Sequence, residues 1–367
     1  MKIRILVIVA SVLMLTWLSA SLFRSRQAAL QPQIDDRDSV SLHDPRTPDT
    51  RRARAQKPSG APSTSELTGT GTNYWLQSLL SEGGEVPPLP PEQVERWLEL
   101  NHTNADSLLA ARQSGAGREY LLTALTNYPN DPRVLFTALS LDDSPEAKHE
   151  RLERFKTAAP ENALVDYLSA REHLKNSQPD QAIQDLLTAS QKGQFQDYTL
   201  EATQNAEELY LAAGKSPAEA KAFASTTVLL PHLAQLKGLA QDMATLQRQY
   251  VGAGDSSSAE TLAQYGLQLS EHLSTGEGSR YLIDQLVGYA VERIVLSPLN
   301  AEKNYEFLQG TVQDRLAQLD AKKAEAKQTS QFLNQWMATA SEADLVNYFE
   351  RLKVYGENGA LNWLRQR

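Results

Sequence analysis

The sequence predicts an all-α fold for the folded part of the chain, and three observations carry that prediction. From Asn73 onward apolar residues recur at spacings of three and four, the period of a helix that buries one face. Strand-like alternation is nearly missing over the same stretch. Pro and Gly fall between the apolar stripes, where helices start and stop.

Before the folded part comes a different kind of segment. Met1, Lys2 and Arg4 precede residues 5–23, a run without charge whose polar members are Ser11, Thr16, Ser19 and Ser21, and Arg24 and Arg26 close it. At about 1.5 Å per residue such a helix nearly spans a hydrocarbon core of about 30 Å. Residues 1–26 are therefore expected to be a signal anchor or a signal peptide, since Ser19 and Ser21 also resemble the small residues before a cleavage site. Basic residues flank both ends, so the charge bias is nearly balanced. The short basic leader predicts a cytoplasmic amino terminus and an exported body, secreted or periplasmic if the segment is cleaved.

Residues 27–72 are rich in Pro, Ser, Thr, Asp, Arg and Gln and almost lack aromatic side chains. Such a stretch buries too little apolar surface to offset the entropy of ordering, and it reads as a disordered linker. As a random coil, about 45 residues reach on the order of 35–40 Å. The cluster Arg51, Arg52, Arg54 and Lys57 is read as ordinary solvated charge, with anionic lipid or an acidic partner as the alternative.

Residues 73–228 form the first helical region. The run Val86-Pro87-Pro88-Leu89-Pro90-Pro91 excludes a helix up to its last proline, and Pro91 suits the first turn of a helix through Val94, Trp97 and Leu98. A shift of 65 residues aligns Ala105 with Ala170, Leu109 with Leu174, Gly117 with Ala182, Leu121 with Leu186 and Ala124 with Ala189. Tyr128-Pro129-Asn130-Asp131-Pro132 and Ala159-Pro160-Glu161-Asn162, 31 residues apart, each look like a break between helix pairs. Over about residues 98–196 this pattern resembles the tetratricopeptide repeat family. The family's characteristic Trp and Leu-Gly pair are missing from the first helices, and the middle unit is short. The resemblance implies an α-solenoid or helical-hairpin array that captures peptides or partner proteins, and it transfers no functional residue.

Residues 229–367 form the C-terminal helical region. Pro231 begins a helix with the stripe Leu233, Leu236, Ala240, Met243, Leu246 or Gln247, and Tyr250, ended by Gly252 and Gly254. A second starts near Ser258 with Leu262, Gly266, Leu269 and Leu273 and stops at Gly276 and Gly278. A third carries Leu282, Leu286, Tyr289, Ile294 and Leu296 up to Pro298. Short glycine connections predict antiparallel neighbours. A long helix is expected from about Ala301 to Ala338, through Tyr305, Leu308, Val312, Leu316 and Leu319. Its polar centre at Lys322, Lys323, Glu325, Lys327 and Gln328 reads as solvated, with projection or self-pairing as the alternative. Ser341 and Asp344 cap a short helix through Leu345, Phe349 and Leu352 that stops at Gly356.

The net charge of -9 hides an asymmetry, because residues 1–57 carry ten Lys/Arg against five Asp, leaving 26 basic and 40 acidic residues downstream. That sign argues against nucleic acid, whose binding rests on cations that neutralise phosphates. Cysteine is absent, which excludes disulfides, thiolate nucleophiles and cysteine-held metals. His43, His102, His149, His173, His232 and His272 form no two-histidine zinc pattern. The neighbours Glu172-His173 and Glu271-His272 point about 100° apart on a helix and do not share a ligand easily. Gly69-Thr-Gly71 and Gly276-Glu-Gly278 lack the third glycine of a dinucleotide fold, and neither a phosphate loop nor a Gly-x-Ser-x-Gly elbow occurs. Glu207-Glu208 reads as solvent-facing charge, and Tyr74, Trp75, Trp97, Trp336 and Trp363 read as core. Asn101-His102-Thr103 matches a glycosylation sequon, which matters only in a secretory pathway that attaches glycans. No catalytic, cofactor or metal residue is named.

The expectation for function is a membrane-tethered scaffold that binds protein partners on the exported side, with possible self-association. The alternative is an extracytoplasmic helical enzyme or solute-binding protein acting on cell-wall or lipid material.

Overall fold

Pro91 does open a helix, and from there the described chain proceeds almost wholly by helices. The computed structural model describes residues 86–141, 144–228, 230–275 and 279–367, with Leu79. The predicted anchor and linker, His43, Tyr74, Trp75, Gly276 and Gly278 lie outside the described residues. Helix α1 (Pro91–Leu100) buries Val94 and Leu98. Three hairpins follow: α2 (Ala105–Gln113) with α3 (Glu119–Asn127), α4 (Pro132–Ala138) with α5 (Pro145–Ala158), and α6 (Ala163–Lys175) with α7 (Pro179–Gln191).

The two expected breaks fall between these hairpins, at residues 128–131 and 159–162. Each ends in a side-chain cap: Asp131 accepts from Arg133 N and Val134 N, and Asn162 accepts from Leu164 N. Of the aligned positions, Leu121, Ala124, Leu186 and Ala189 are fully buried on the second helices of their pairs. The first-helix positions are out of register, because Ala105 opens α2 while Ala170 sits in the middle of α6.

Next come α8 (Thr199–Ala212) with α9 (Pro217–Thr227), then α10 (Pro231–Gly252), α11 (Ser256–Ser274) and α12 (Leu282–Leu296), which pack on one another. Leu233, Leu236, Ala240, Met243 and Gln247 are buried on α10, and Leu246 and Tyr250 are half-buried. Packing is not confined to neighbours in sequence, since α8 lies on α2 and α10 lies on α6. One core cluster draws buried residues from Leu79 to Leu364.

The helix expected from Ala301 begins later. Asn304–Tyr305 (β1) pairs antiparallel with Gly310–Thr311 (β2) around a single 3₁₀ turn, and Gln309 turns the chain at φ 51°. Helix α13 (Val312–Met337) starts only after Thr311, whose hydroxyl accepts from Asp314 N. It does not project: Val312, Leu319, Ala326, Leu333 and Met337 are buried along its length, while Lys322 and Glu325 stay exposed. The last helix, α14 (Glu342–Arg365), is broken at Gly356 as expected, then resumes and buries Ala360, Leu361 and Leu364. Among the described residues no helix is long and apolar enough to cross a membrane.

Candidate functional site

Three carboxyl groups, two of them buried and Asp197 with its side chain 11% exposed, are brought by three separate segments to the start of α12. The first is Asp197, in the loop between α7 and α8. Asn162 holds that loop, donating to Gln196 O at 2.8 Å and accepting from Gln196 N at 3.0 Å. Asp197 accepts from Thr199 N at 3.0 Å and lies 3.3 Å from Nε2 of His232, a residue 1% exposed in the first turn of α10. Tyr198, between these contacts, takes a left-handed backbone at φ 56°, a conformation held by its surroundings.

The second carboxyl is Asp284, 1% exposed, which accepts from Tyr281 N at 2.8 Å as a cap of α12. Its Oδ1 has no hydrogen-bond partner among the described residues. The third is Glu357, which accepts from Leu282 N at 2.5 Å. Tyr281 closes the group, its hydroxyl 3.4 Å from Thr203 Oγ1. The buried hydroxyl of Tyr348 has no hydrogen-bond partner among the described residues.

Electrostatics separates the three acids. Burial alone raises a carboxyl pKa by disfavouring its anion. At Asp197 the His232 pair and the Thr199 bonds outweigh burial, and the pKa is lowered. At Asp284 burial and then the nearby Asp197 charge push the pKa well above the usual carboxylate range. At Glu357 burial outweighs the Leu282 N–H and pushes the pKa up to about 7. The three acids are thus driven apart: Asp197 is lowered, Asp284 is raised well above the usual range, and Glu357 is pushed up to about 7.

Beside this group lies a charged network. Lys221 pairs with Glu207 and Glu350, and Lys353 lies 3.1 Å from Glu207 and 3.5 Å from Glu350. Burial would lower the Lys221 pKa, but the two carboxylates outweigh it and hold it above its ordinary value. Lys221, Glu207 and Lys353 line a recess with Thr203, Arg280 and Tyr281, of about 10 Å³, the room of roughly one water. The site is suited to storing and moving protons or holding a water.

Glu207 therefore departs from the sequence expectation: it is buried and twice paired, while its neighbour Glu208 is exposed. Their side chains point about 100° apart, and α9 and α14 cover only one of the two directions. The histidines scatter. His102 and His149 are exposed, His173 lies 3.5 Å from Asp185, and His272 meets the Tyr167 hydroxyl at 3.2 Å. Among the described residues no group of three His, Cys, Asp or Glu side chains is placed to hold a metal. Trp97, Trp336 and Trp363 are half-buried against the core.

Sequence reasoning missed Asp197, Asp284 and Glu357. The one local signal was the glycine break that aims Glu357 inward. Comparisons with protein-family models, curated proteins and solved structures find no match to this chain.

Proposed function

We propose that the chain is a helical interaction module, tethered to a membrane by residues 1–26, spaced from it by residues 27–72, and holding protein partners on the exported side. The observation that supports this most is the succession of three capped helix hairpins between residues 105 and 191. Hairpin arrays present extended surfaces to peptides and proteins, and the likeness to tetratricopeptide repeats over residues 98–196 points the same way. The test is a crosslinked affinity pull-down from native membranes, comparing the full chain with a version lacking residues 1–26. A defined partner near one-to-one stoichiometry, lost or reduced without the segment, is the expected result. A full chain that recovers no partner, or only further copies of itself, removes the scaffold reading.

The second reading is a helical enzyme or solute-binding protein acting on cell-wall or lipid material. It draws on Asp284, whose pKa burial raises and which accepts from Tyr281 N beside the Lys221 and Lys353 recess, since perturbed titratable groups cluster at functional sites. A saturable rise in melting temperature with a small ligand favours it. No shift across a panel of cell-wall fragments and lipid headgroups removes it.

A further inference from the structure

Helix α14 is two segments joined at Gly356, whose backbone leaves helical space (φ 70°, ψ 177°). In an unbroken helix Glu357 N would donate to Lys353 O, four residues back. The turn separates these groups, and Arg280 takes both: its carbonyl accepts from Glu357 N at 2.7 Å, and its guanidinium donates to Lys353 O at 3.0 Å. The Glu357 side chain then reaches forward to Leu282 N at 2.5 Å. The first residue of the second segment is thus tied twice to the start of α12. Beyond it the segment is held by buried Ala360, Leu361 and Leu364 and by Arg365, which donates to Thr329 Oγ1 at 2.9 Å.

We propose that Glu357 is the proton-operated catch of a clasp: with its carboxyl neutral it holds residues 357–367 on the body, and on ionising it loosens them. The groups around it decide this. From the first turn of α12 and the residues before it come Arg280, Tyr281 and Asp284. Behind Asp284 stands Asp197 from the loop before α8, paired with His232 of α10, and α8 adds Thr203. From α14 itself come Tyr348 and Lys353. The Arg280 guanidinium is spent on the Lys353 carbonyl, and the Lys353 ammonium faces Glu207 and Glu350. An ionised Glu357 therefore has a backbone N–H on one side, the Asp284 carboxyl on another, and no cation paired with it among the described residues. Its titration near 7 places the change within ordinary pH, and opening bares the apolar face of Ala360, Leu361 and Leu364.

Amide hydrogen exchange of the full chain in detergent micelles, corrected for the intrinsic pH dependence of exchange, reads the opening directly. An acid titrating near 7 when docked and near its ordinary value when released makes opening roughly 50- to 100-fold more frequent between about pH 5 and about pH 8. The expected result is that loss of protection at residues 357–364, levelling off above about pH 7, with the amides of α6 unchanged. Glu357→Gln keeps the acceptor oxygen and is expected to abolish the response. Equal protection at both pH values, a response shared equally by α6, or an unaltered response in Glu357→Gln overturns the clasp. Should Glu357→Gln fail to fold, the comparison of residues 357–364 with α6 in the unaltered chain decides by itself.

Discussion

The guanidinium of Arg280 donates to the carbonyl of Lys353 at 3.0 Å, in the place that a continuous helix reserves for the amide of Glu357. A break in a buried helix strands a donor and an acceptor, and an unmet buried group destabilises by about 1–3 kcal/mol. Here one residue meets both, so the break is a built feature of the fold.

Gly356→Ala tests that feature. The position has φ 70°, and an added Cβ would lie 3.2 Å from the Arg280 carbonyl oxygen. Positive φ with extended ψ is open essentially to glycine alone, and placing alanine there costs about 1–3 kcal/mol. A loss of that size is expected in denaturant unfolding at constant m-value, and an unchanged midpoint would show that the turn relaxes freely.

Asp197→Asn removes the anion from a buried pair and leaves His232 facing a neutral amide. Breaking a buried ion pair typically destabilises by about 3–5 kcal/mol, so a loss near the lower bound is expected, because the Asp197 side chain keeps 11% exposure. The same substitution removes a charge that, after burial, raises the Asp284 pKa, so that pKa is expected to fall. Carboxyl-selective infrared titration against the unaltered chain reads that second effect.

Stability as a function of pH follows from the directions of the shifts. Asp284 and Glu357 have folded pKa values above their unfolded ones; they bind protons more tightly when folded, so their contribution is complete below the unfolded value and is lost as pH rises through the folded one. Asp197 has the opposite sign, and its contribution is lost as pH falls through its folded value. Thermal unfolding is expected to peak in mildly acid solution, between the ordinary carboxyl range and about 7. A maximum well above neutrality would contradict the assignment.

Gly288→Ala probes the crossing of α11 and α12. An added Cβ would lie 2.9 Å from the Ser270 carbonyl oxygen, with Ser274 and Leu273 also close. Ser270 Oγ already donates to Gly288 O at 2.8 Å across the same contact. Relief requires the helices to part, and overpacking of this kind costs about 1–3 kcal/mol. Gly193→Ala, which meets no neighbouring atom, is the control and is expected to be near neutral in the same denaturation series.

Much of the helical pattern was legible from local chemistry. Pro91, Pro231 and Ser341 start helices where their residue types suit a first turn or a cap, and Gly356 ends one. The breaks at residues 128–131 and 159–162 were readable because prolines and Asx caps act within a few residues. The failure at residues 301–311 has the same root. The apolar residues Tyr305 and Leu308 fit a helical period, but the Gln309 turn and the Thr311 cap before Asp314 set a later start. The continuation after Gly356 was missed because a glycine stop gives no sign of what lies beyond it.

By itself, the sequence determined what is decided along the chain: that the folded part is helical, the starts marked by proline or a cap, and the composition of residues 1–72. Helix geometry and capping are local, so a period and a cap suffice. Only the tertiary structure decided which charged groups are buried. Nothing in the neighbours of Asp197 or Asp284 distinguishes them from exposed acids, Glu357 has only the glycine before it, and Glu207 and Glu208 differ only in direction. Burial depends on which elements cross in space, as α8 with α2 and α9 with α14. Desolvation at such crossings sets whether a carboxyl is an anion, a neutral acid, or poised between them.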